Sequence, residues 1–422
     1  MGSDWPVVSI DDIKAPRPGS IAIGPFGSRM KSDCYMSDGV RVVRGTNLTG
    51  GRSFSGDFVF ISSEKAKELN SANLLPTDLV FPHRGAIGEV GIVPADGKRY
   101  VLSSSLMKLT CAADRAHPDF IYYFFKSEAG RFELLKNASQ VGTPGIGRPL
   151  ASLKQIKLKL PAIDEQRSIA SALRALDDRI ALLRETNATL EAIAQALFKS
   201  WFVDFDPVRA KQQGLAPVGM DEATAALFPD SFEDSALGLV PKGWPVGKLE
   251  DLLVLQRGFD LPAQARVAGD YPIIAASGPS GTHSEAMAKG PGVITGRSGV
   301  LGRVFLELGD YWPLNTTLWV KEFRAAMPCY AYELLCTLDF KSFNAGSAVP
   351  TLNRNHVHGL PYVIPSRVCV EAYERAALDL HQRSRLNEDH AQTLATLRDT
   401  LLPRLISGQL RLPEAETLSA LA

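Results

Sequence analysis

Several features that would place a chain outside the ordinary globular class are missing from this sequence. Its 422 residues contain no apolar run long enough to span a membrane, and the N-terminus has no basic segment followed by an apolar one. Cysteine is scarce, with five scattered residues and no pair at zinc-finger spacing, which predicts reduced thiols in a cytoplasmic protein. Neither charge sign is in excess, because 46 Lys and Arg residues balance 46 Asp and Glu residues. The composition therefore gives no general argument for a polyanionic partner.

Sequence motifs of three enzyme classes are also missing. There is no Gly-x-x-x-x-Gly-Lys-Ser/Thr segment for nucleotide hydrolysis and no Asn/Asp-Pro-Pro-aromatic segment for adenine methylation. Asp119 and Asp230 each follow a proline, but neither leads to the Glu-x-Lys of a metal-dependent nuclease. His356 and His358 form a possible metal pair in a strand, but with no cysteine or acidic cluster near them in sequence a solvated loop is the alternative. We therefore expect no catalytic residue, no metal and no cofactor on this chain.

What the sequence does contain is an internal repeat. Matching segments occur in the same order in both halves, and their offset falls from 239 residues at Trp5 and Trp244 to 204 residues just before two long helical patterns. Two copies of one fold with loops of different length would give such an offset. The copies differ in charge, because residues 1–160 hold 21 basic and 15 acidic side chains whereas residues 244–365 hold ten of each.

Each copy mixes short strands with buried helices. Apolar runs of four or five residues between turn residues predict strands, and longer aromatic-rich runs predict helices. The fold class we predict is α+β, with two similar globular units separated by two long helices in an antiparallel coiled coil. The predicted strands are Val40–Val43, Asp78–Phe81, Pro272–Ala275 and Gly292–Thr295, and the predicted helices are Phe120–Lys126 and Tyr330–Thr337.

A heptad pattern follows the first copy. Apolar residues at alternating spacings of four and three predict a helix about 50 Å long with a left-handed coiled-coil seam. The equivalent segment of the second copy, roughly Val370 to Leu405, is the expected antiparallel partner, although its seam is more polar. The seam positions of the first helix are Ile169, Leu173, Leu176, Ile180, Leu183, Asn187, Leu190, Ala194, Leu197 and Trp201.

An asparagine stands near the middle of each helix. In an antiparallel pair the midpoints coincide, so Asn187 should lie near Asn387 across the seam. A polar pair at an apolar interface lowers stability but fixes the register of the helices. The alternative is that one or both amides face solvent.

Four aromatic residues close the first helix. Phe198, Trp201, Phe202 and Phe205 have the i, i+3, i+4, i+7 spacing of one helix face, and Pro207 is expected to end the helix. We interpret them as the junction of helix, connector and second globular unit, with part of the set free to dock a partner protein. The alternative is a purely intramolecular core.

These patterns divide the chain into six segments. The predicted order is a globular unit, a helix, a connector, a second unit, a second helix and a tail. Their bounds are 1–160, 161–206, 207–243, 244–365, 366–410 and 411–422.

Five stretches of the sequence resemble a known family. Leu160–Arg167 is similar to the motif that opens the first conserved helix in specificity (S) subunits of type I restriction-modification systems, and Asn187–Lys211 is similar to its end. Gly219–Asp230 and Gly238–Trp244 resemble the connector of that family, and Leu401–Leu410 resembles its C-terminal ending. The resemblance covers essentially the whole chain, although the globular units match only in outline.

The resemblance implies a function without catalysis. Each globular unit would be a target recognition domain for one half of a split DNA sequence, and the helices would set the spacing between the halves. The S subunit would bind two modification (methyltransferase) subunits, which methylate adenine with S-adenosylmethionine. With restriction subunits the complex would become a nuclease that uses ATP and Mg²⁺. The internal repeat supports this function independently, because a protein with two similar domains and pseudo-twofold symmetry suits a DNA target with two half-sites.

Polar, glycine-containing loops are the expected DNA contacts. Phosphates attract Lys and Arg, and base edges are recognised by Arg, Asn, Gln and other polar groups. We treat Arg84 and Arg297 as equivalent positions of the two copies. The candidate DNA-binding residues are Ser28, Arg29, Lys31, Arg41, Arg44, Asn47, His83, Arg84, Thr143, Arg148, Arg257, Ser280, His283, Arg297, Ser298, Ser347, Asn353, Arg354 and Asn355.

Two other functions compete with DNA recognition. The duplicated units would equally suit an interaction scaffold that binds peptides or subunits and not DNA. A fused enzyme with an unrecognised active site is the third interpretation, and the missing motifs argue against it.

Overall fold

The computed structural model describes residues 4–26, 29–139, 142–343 and 350–412. The chain forms two compact units. Unit 1 contains residues 1–182 and 390–422, and unit 2 contains residues 183–389. Each unit therefore contains one globular domain together with part of each long helix.

The first part of the chain consists of short strands and helices followed by one long helix. In chain order the elements are β1 (Val7–Ser9), α1 (Ile10–Ile13), β2 (Ile21–Ile23), β3 (Val40–Val43), β4 (Val59–Ile61), α2 (Ser63–Glu68), β5 (Asn73–Leu74), β6 (Leu79–Pro82), β7 (Gly91–Ile92), β8 (Tyr100–Leu102), β9 (Leu106–Leu109), α3 (Pro118–Lys126), α4 (Glu128–Leu135), β10 (Ala138–Ser139), β11 (Gly145–Ile146), α5 (Pro149–Gln155), β12 (Lys157–Lys159) and α6 (Ile163–Phe202).

The second part has a similar order of elements after an ordered connector. Its elements are α7 (Asp206–Gln212), α8 (Glu222–Ala226), β13 (Phe232–Ser235), β14 (Gly238–Pro241), β15 (Val246–Lys248), α9 (Leu249–Leu252), β16 (Leu253–Arg257), β17 (Tyr271–Ala275), β18 (Gly278–His283), β19 (Gly292–Gly296), β20 (Val304–Glu307), β21 (Trp312–Pro313), β22 (Thr317–Phe323), α10 (Pro328–Cys336), α11 (Arg354–His358), β23 (Pro361–Val363) and α12 (Arg367–Ile406).

Unit 1 is built on two four-stranded sheets. One has the order β2-β9-β6-β7 and is antiparallel throughout, and the other has the order β4-β3-β8-β5 with a parallel β3–β8 pair. A short antiparallel pair, β1 with β12, joins the two ends of the domain. The hydrophobic core includes the fully buried Phe81 and Phe120 and extends onto the long helices at Leu173 and Leu405.

Unit 2 repeats this plan with shorter connections. Its main sheet has the order β16-β22-β19-β20, a second sheet contains a parallel β17–β21 pair, and β15 pairs with β23 as β1 pairs with β12. The predicted strands and the two predicted buried helices are all present, within one to two residues of their expected ends. The predicted α+β fold class is confirmed, and the matching strand orders show that the internal repeat is a repeat of topology.

Both long helices span 40 residues. Within unit 2 they run in opposite directions. Asn187 contacts Asn387, whereas Ala194, seven residues later, accepts a 3.1 Å hydrogen bond through its carbonyl oxygen from the hydroxyl of Tyr373, fourteen residues earlier. Within unit 1, Arg398 of α12 forms a 2.7 Å ion pair with Asp177 of α6.

Each long helix also completes the N-terminus of a buried helix. Neither α3 nor α10 has a side-chain cap of its own. Gln166 of α6, fully buried, accepts a 2.8 Å hydrogen bond from the amide of His117. In unit 2 the carboxylate of Glu374 on α12 accepts bonds from the amides of Cys329 and Tyr330. The domains are therefore fixed to the helices by hydrogen bonds as well as by apolar packing.

The aromatic cluster differs from its prediction at one end. Helix α6 ends at Phe202, and Phe205 has left-handed backbone geometry (φ 57°) that starts α7. Pro207 therefore lies in the first turn of the next helix and does not terminate α6, because a proline at this position loses no hydrogen bond. Phe198, Trp201 and Phe202 are at least 93% buried, in the core of unit 2.

The connector is an ordered strap. Helices α7 and α8 are followed by the β13–β14 hairpin. Phe228 packs against the ring of Trp201, and Trp244 packs against the ring of Phe202. Of the residues that the structure describes, no helix has both the length and the apolar character to cross a membrane.

Candidate nucleic-acid interface

In unit 1, four loops meet at the end of the main sheet where β2 and β6 finish and β9 begins. The first follows β2, the second follows β6, the third precedes β9 and the fourth contains the short strand β11. We call residues 24–26, 83–85, 103–105 and 142–148 the unit 1 loop surface. The amide of His83 donates to Ser105 O (2.9 Å), and the amide of Ile146 donates to His83 O (2.8 Å). The amide of Gly85 donates to Pro144 O (2.8 Å). This backbone network joins three of the four loops, those at residues 83–85, 103–105 and 142–148.

His83 holds this surface together. Its ring is buried, and Nε2 lies 3.0 Å from Ser104 O. Burial lowers the pKa of His83 below its usual 6.5, so the ring is neutral at pH 7 and donates from Nε2 to the carbonyl. His83 was a candidate DNA contact, and the structure shows its ring bonded inside the loop surface.

Exposed cations surround the unit 1 loop surface. Arg84 and Arg148 are exposed within it, Thr143 is exposed beside them, and Arg29 and Lys31 are exposed on the segment that follows β2. Positive side chains at one edge of a sheet are what contacts to phosphates require. The predictions for these five residues fit the surface, and their DNA contacts stay predictions.

Three other candidates of unit 1 are used internally. Asn47 is fully buried and donates through Nδ2 to Ser55 O and Asp57 O, both at 3.0 Å. Arg44 donates to Asp57 O (3.0 Å), and the guanidinium of Arg41 lies over three aromatic rings at 5.7–6.0 Å. Asn47 cannot reach a base edge, because its amide is already bonded inside the loop. The candidates Ser28 and Ser347 lie outside the described residues.

Unit 2 has a corresponding set of loops. The unit 2 loop surface consists of residues 258–260, 297–299, 314–316 and 350–354. Residue 350 is the first described residue after the gap. The amide of Arg297 donates to Thr316 O (2.8 Å), the amide of Leu352 to Arg297 O (2.8 Å) and the amide of Gly299 to Pro350 O (3.0 Å). These three bonds repeat, position for position, the three that join the loops of unit 1.

The shared bonds correct one equivalence drawn from the sequence. Arg297 corresponds to His83, and both side chains bond to the same loop, since Arg297 Nη1 donates to Asn315 O (3.3 Å) as His83 does to Ser104 O. Arg84 corresponds instead to Ser298, which forms the equivalent isolated bridge. The glycines after them, Gly85 and Gly299, share left-handed φ values of 85° and 87°.

An arginine and an aspartate pair on the unit 2 loop surface. Arg257 Nη2 donates to both carboxylate oxygens of Asp260, at 3.0 and 3.1 Å, and Asn315 Nδ2 donates to Oδ1 of the same carboxylate. The hydrogen bond from Asn315 and the one from Arg257 lower the pKa of Asp260 below its usual value. The side chains of Arg257 and Asp260 remain 49% and 61% exposed.

Two predicted contacts of unit 2 are internal. His283 is buried, its Nδ1 lies 3.1 Å from the amide of Val267, and its ring meets Trp312 edge to face. Ser280 is half-buried and bonded to Arg266. Both predictions placed these residues in open polar loops, whereas β18 carries them into a packed sheet.

Residues 353–358 form a short helix and neither a strand nor a loop. Asn353 caps α11 by accepting from the amide of Asn355 (3.0 Å), and Arg354 and Asn355 are exposed. His358 Nε2 accepts a 2.9 Å bond from the amide of Leu255, and burial lowers the pKa of this ring. The two histidines weighed as a possible metal pair therefore have different surroundings, and the described residues contain no cluster of three His, Cys, Asp or Glu side chains able to hold a metal.

The two central asparagines meet in unit 2. Asn387 Nδ2 donates to Asn187 Oδ1 at 2.9 Å, and Asn187 Nδ2 donates to Ser384 O at 2.9 Å. The proximity predicted from the heptad pattern is therefore present in the structure. Control of helix register by this pair stays a prediction.

Two residues that the sequence did not single out lie on the loop surfaces. Phe26 is 60% exposed beside His83, and Asp260 holds Arg257. Each stands two residues after a glycine at the end of the first sheet strand, Gly24 or Gly258. This shared spacing could have identified the two positions from the sequence, but it is recognised only after β2 is aligned with β16.

Comparison with known proteins agrees with this architecture. Residues 26–192 match the family model described as type I restriction modification DNA specificity domain. The chain is 22% identical to the type I restriction enzyme MjaIX specificity subunit of Methanocaldococcus jannaschii, over 97% of this chain and 94% of that protein. It is 23% identical to the HindI specificity subunit of Haemophilus influenzae, over 83% and 89%.

A solved structure has the same fold. The S subunit of a type I restriction-modification system from M. genitalium superposes with a TM-score of 0.61 at 16% identity, with 96% of each chain covered.

Proposed function

Because this chain belongs to the specificity subunits of type I restriction-modification systems, we propose that each of its units recognises one half of a split DNA target. The loop surface of each unit would face the major groove, with its exposed polar side chains at base edges and phosphates. The chain would then act as the sequence-specific, DNA-binding subunit of a larger complex.

One observation carries this proposal. Both loop surfaces have the same backbone network, with three matching hydrogen bonds, but different exposed side chains. A protein that recognises two unlike sequences in the same manner needs a constant framework and variable contact residues. An interaction scaffold without DNA would not require basic residues such as Arg84 and Arg148 on the equivalent edge of the first unit.

Catalysis would belong to partner subunits. The chain lacks the sequence motifs of nucleotide hydrolysis, adenine methylation and metal-dependent cleavage. We infer that it binds two methyltransferase subunits, which supply S-adenosylmethionine chemistry, and that restriction subunits add an activity dependent on ATP and Mg²⁺. This complex would have type I site-specific deoxyribonuclease and adenine-specific DNA methyltransferase activity and would work in the cytoplasm.

The long helices would set the spacing of the two half-sites. Their antiparallel packing, together with the Asn187–Asn387 hydrogen bond, would fix their mutual register within unit 2. A coiled coil resists axial sliding because each seam residue is enclosed by neighbours of the facing helix. The number of base pairs between the half-sites would therefore depend on helix length and not on loop flexibility.

The aromatic cluster would serve this assembly indirectly. Phe198, Trp201 and Phe202 are buried, so their role is to join α6 to unit 2. Docking of a methyltransferase subunit would be left to partly exposed neighbours, among them Phe205 and the 44%-exposed Val203. Phe205→Ala with Val203→Ala should weaken subunit binding in a pull-down, and an unchanged complex would remove this part of the proposal.

Methylation mapping tests the proposed function. The chain would be co-expressed with its methyltransferase subunits in a host that lacks adenine methylation, and modified adenines would be mapped across the genome. We expect one split motif with a fixed spacer, and none when this chain is omitted. A complex that binds random and genomic DNA alike, or that leaves the genome unmodified, would favour the interaction scaffold.

A further inference from the structure

One position of the loop surface has opposite chemistry in the two units. The loop after the first strand of the main sheet begins with Gly24 in unit 1 and with Gly258 in unit 2. The amide of Gly24 donates to Leu106 O (2.8 Å), and the amide of Gly258 donates to Thr317 O (3.1 Å). Leu106 and Thr317 are themselves the first residues of equivalent strands, β9 and β22.

Close contact confirms that the two glycines are equivalent. A Cβ atom on Gly24 would come within 1.8 Å of Ser103 O, and one on Gly258 would come within 2.2 Å of Leu314 O. Both carbonyls belong to the loop three residues before the paired strand. Each loop is therefore fixed at its first residue, and the second residue after the glycine is Phe26 in one unit and Asp260 in the other.

Phe26 presents an uncovered aromatic ring. It is 60% exposed, and its ring centroid lies 6.2 Å from that of the buried His83, which is bonded to Ser104 O. An exposed ring beside His83 cannot be explained by core packing. Among base edges, the C5-methyl group of thymine is the apolar feature of the major groove.

Asp260 holds an arginine at the same place. Its two bonds to Arg257 use Nη2 alone, which leaves Nε and Nη1 of the guanidinium as donors for an outside acceptor. Asn315 holds the carboxylate from the other side. An arginine oriented in this way suits the paired acceptors O6 and N7 of guanine.

We propose that this loop position determines one base in each half-site, with Phe26 contacting a thymine methyl group in the first half and Arg257, positioned by Asp260, contacting a guanine in the second. The assignment rests on the proposed function, because it takes both loop surfaces to face DNA. It goes further by naming the residues that make the two half-sites differ.

Methylated motifs of single variants test the proposal. The complete complex would be expressed with Phe26→Ala, Arg257→Ala or Asp260→Asn, and the modified motif would be mapped as for the unaltered protein. Phe26→Ala should relax the choice of base at one position of the first half only, by about ten- to a hundredfold in relative methylation. Arg257→Ala should do the same at one position of the second half, and Asp260→Asn should weaken selection at that same position to a smaller extent.

Two matched controls have the same chemistry elsewhere. Phe132→Ala removes another exposed ring of unit 1, on α4, and Arg324→Ala removes a carboxylate-paired arginine just after β22, at the opposite end from Arg257. Neither should change the motif. Thermal melts of all five variants identify any that is misfolded. For a variant with a lowered melting temperature, the base preference of the purified complex in DNA binding replaces the cellular measurement.

The outcomes separate this proposal from the proposed function. An unaltered protein without a split motif would overturn the proposed function itself. A split motif that Phe26→Ala and Arg257→Ala leave unchanged, or relax in both halves at once, would overturn only the assignment of this loop. Control variants that relax the motif equally would also overturn it.

Discussion

The two loop surfaces differ in how they use charge. In unit 1, Arg84 and Arg148 are exposed, and neither forms an ion pair with a carboxylate of the described residues, whereas in unit 2 Arg257 is paired with Asp260. This difference in pairing parallels the composition, because the first copy has a surplus of basic residues and the second copy has none. Unit 1 is suited to bind phosphates through cations that no carboxylate holds, whereas unit 2 orients Arg257 for one acceptor and leaves Arg354 exposed on the same surface.

Comparing the two units shows which parts of the loop surfaces vary and which are constant. The backbone bonds that join the loops are the same in both units, and even the side-chain bond from His83 or Arg297 to the neighbouring loop is kept. Side chains that point away from this network have changed completely, as Phe26 and Asp260 show. A fixed framework with variable contacts lets one fold recognise different sequences.

The largest effect is expected from the core of unit 2. Phe202→Ala removes a buried ring whose centroid lies 4.9 Å from that of Tyr330 and should lower the free energy of unfolding by about 3–5 kcal/mol. Ile406 is the residue 204 positions later, in the core of unit 1, and Ile406→Ala should cost about 2–5 kcal/mol there. Hydrogen exchange resolved by residue should show each loss in its own unit, and equal loss in both units for either variant would contradict separate cores.

The next largest effect compares the two buried caps. Gln166→Leu leaves the His117 amide without an acceptor in unit 1, and Glu374→Leu does the same to two amides at the start of α10 in unit 2. Each substitution should cost about 1–3 kcal/mol, with the greater loss in unit 2. Chemical denaturation checks this order, and Thr189→Ala on the exposed face of α6 serves as the neutral control.

The pH dependence of stability should differ between the units. In unit 1, Tyr123 donates a 2.8 Å hydrogen bond to Asp177, but the equivalent residues of unit 2 are Glu333 and His381, whose nearest atoms lie 3.7 Å apart. Burial, and then the charge of Glu191, raise the pKa of Glu333 to about 8. Burial lowers the pKa of His381.

The sign follows from proton binding. Above pH 4.5 the unfolded chain releases the Glu333 proton and the folded chain keeps it, so stability falls with rising pH until about pH 8. Below pH 6.5 His381 acts in the opposite direction, since the unfolded chain binds a proton that the folded chain does not. The net decline should therefore appear between about pH 6.5 and 8, at no more than about 1.4 kcal/mol per pH unit.

Glu333→Gln tests this difference. Hydrogen exchange in unit 2 should lose its decline between pH 6.5 and 8, whereas Tyr123→Phe should weaken unit 1 without adding a pH dependence. Tyr332 and Cys336 on α10 also face this region. A decline that persists in Glu333→Gln would assign it to another group.

A smaller effect on stability is expected at the asparagine pair. Replacing both Asn187 and Asn387 with Leu removes both partners of their mutual hydrogen bond, together with the bond from Asn187 to Ser384 O, and should change stability by only about 1 kcal/mol. The informative measurement is register, from the distance between spin labels at the exposed Ile193 and Leu386. A shift by about one helical turn, 5.4 Å, supports a register role, and an unchanged distance removes it.

The smallest effect is expected in salt dependence. Arg84→Ala should reduce the slope of log affinity against log salt by about one, because one phosphate contact is lost. Arg257→Ala should change that slope less, since Asp260 already offsets the charge. Equal changes in the two slopes would contradict the charge difference between the loop surfaces.

Much of the fold followed from local patterns. The strands at Val40–Val43 and Gly292–Gly296 and the buried helix at Pro118–Lys126 lie where short apolar runs predicted them. The heptad spacing predicted both the antiparallel helices and the contact of Asn187 with Asn387. Such patterns succeed because periodicity directly reports which side of an element is buried.

The candidate DNA contacts followed much less well. Asn47, His83 and His283 are polar residues of loop-like sequence, but each is buried and bonded to backbone groups. A sequence does not show whether a polar side chain turns inward to satisfy a buried carbonyl or amide. The same reason explains why Phe26 and Asp260 were missed, since their importance depends on what surrounds them.

The repeat, the helical seam and the lack of recognisable catalytic motifs could be identified from the amino-acid sequence, because each depends on residue type and spacing along the chain. Three further facts came from the folded structure: His83 corresponds to Arg297, the aromatic cluster is a core, and Phe26 and Asp260 occupy one position. Those facts depend on which backbone groups of distant segments bond to each other, and chain spacing does not contain that information.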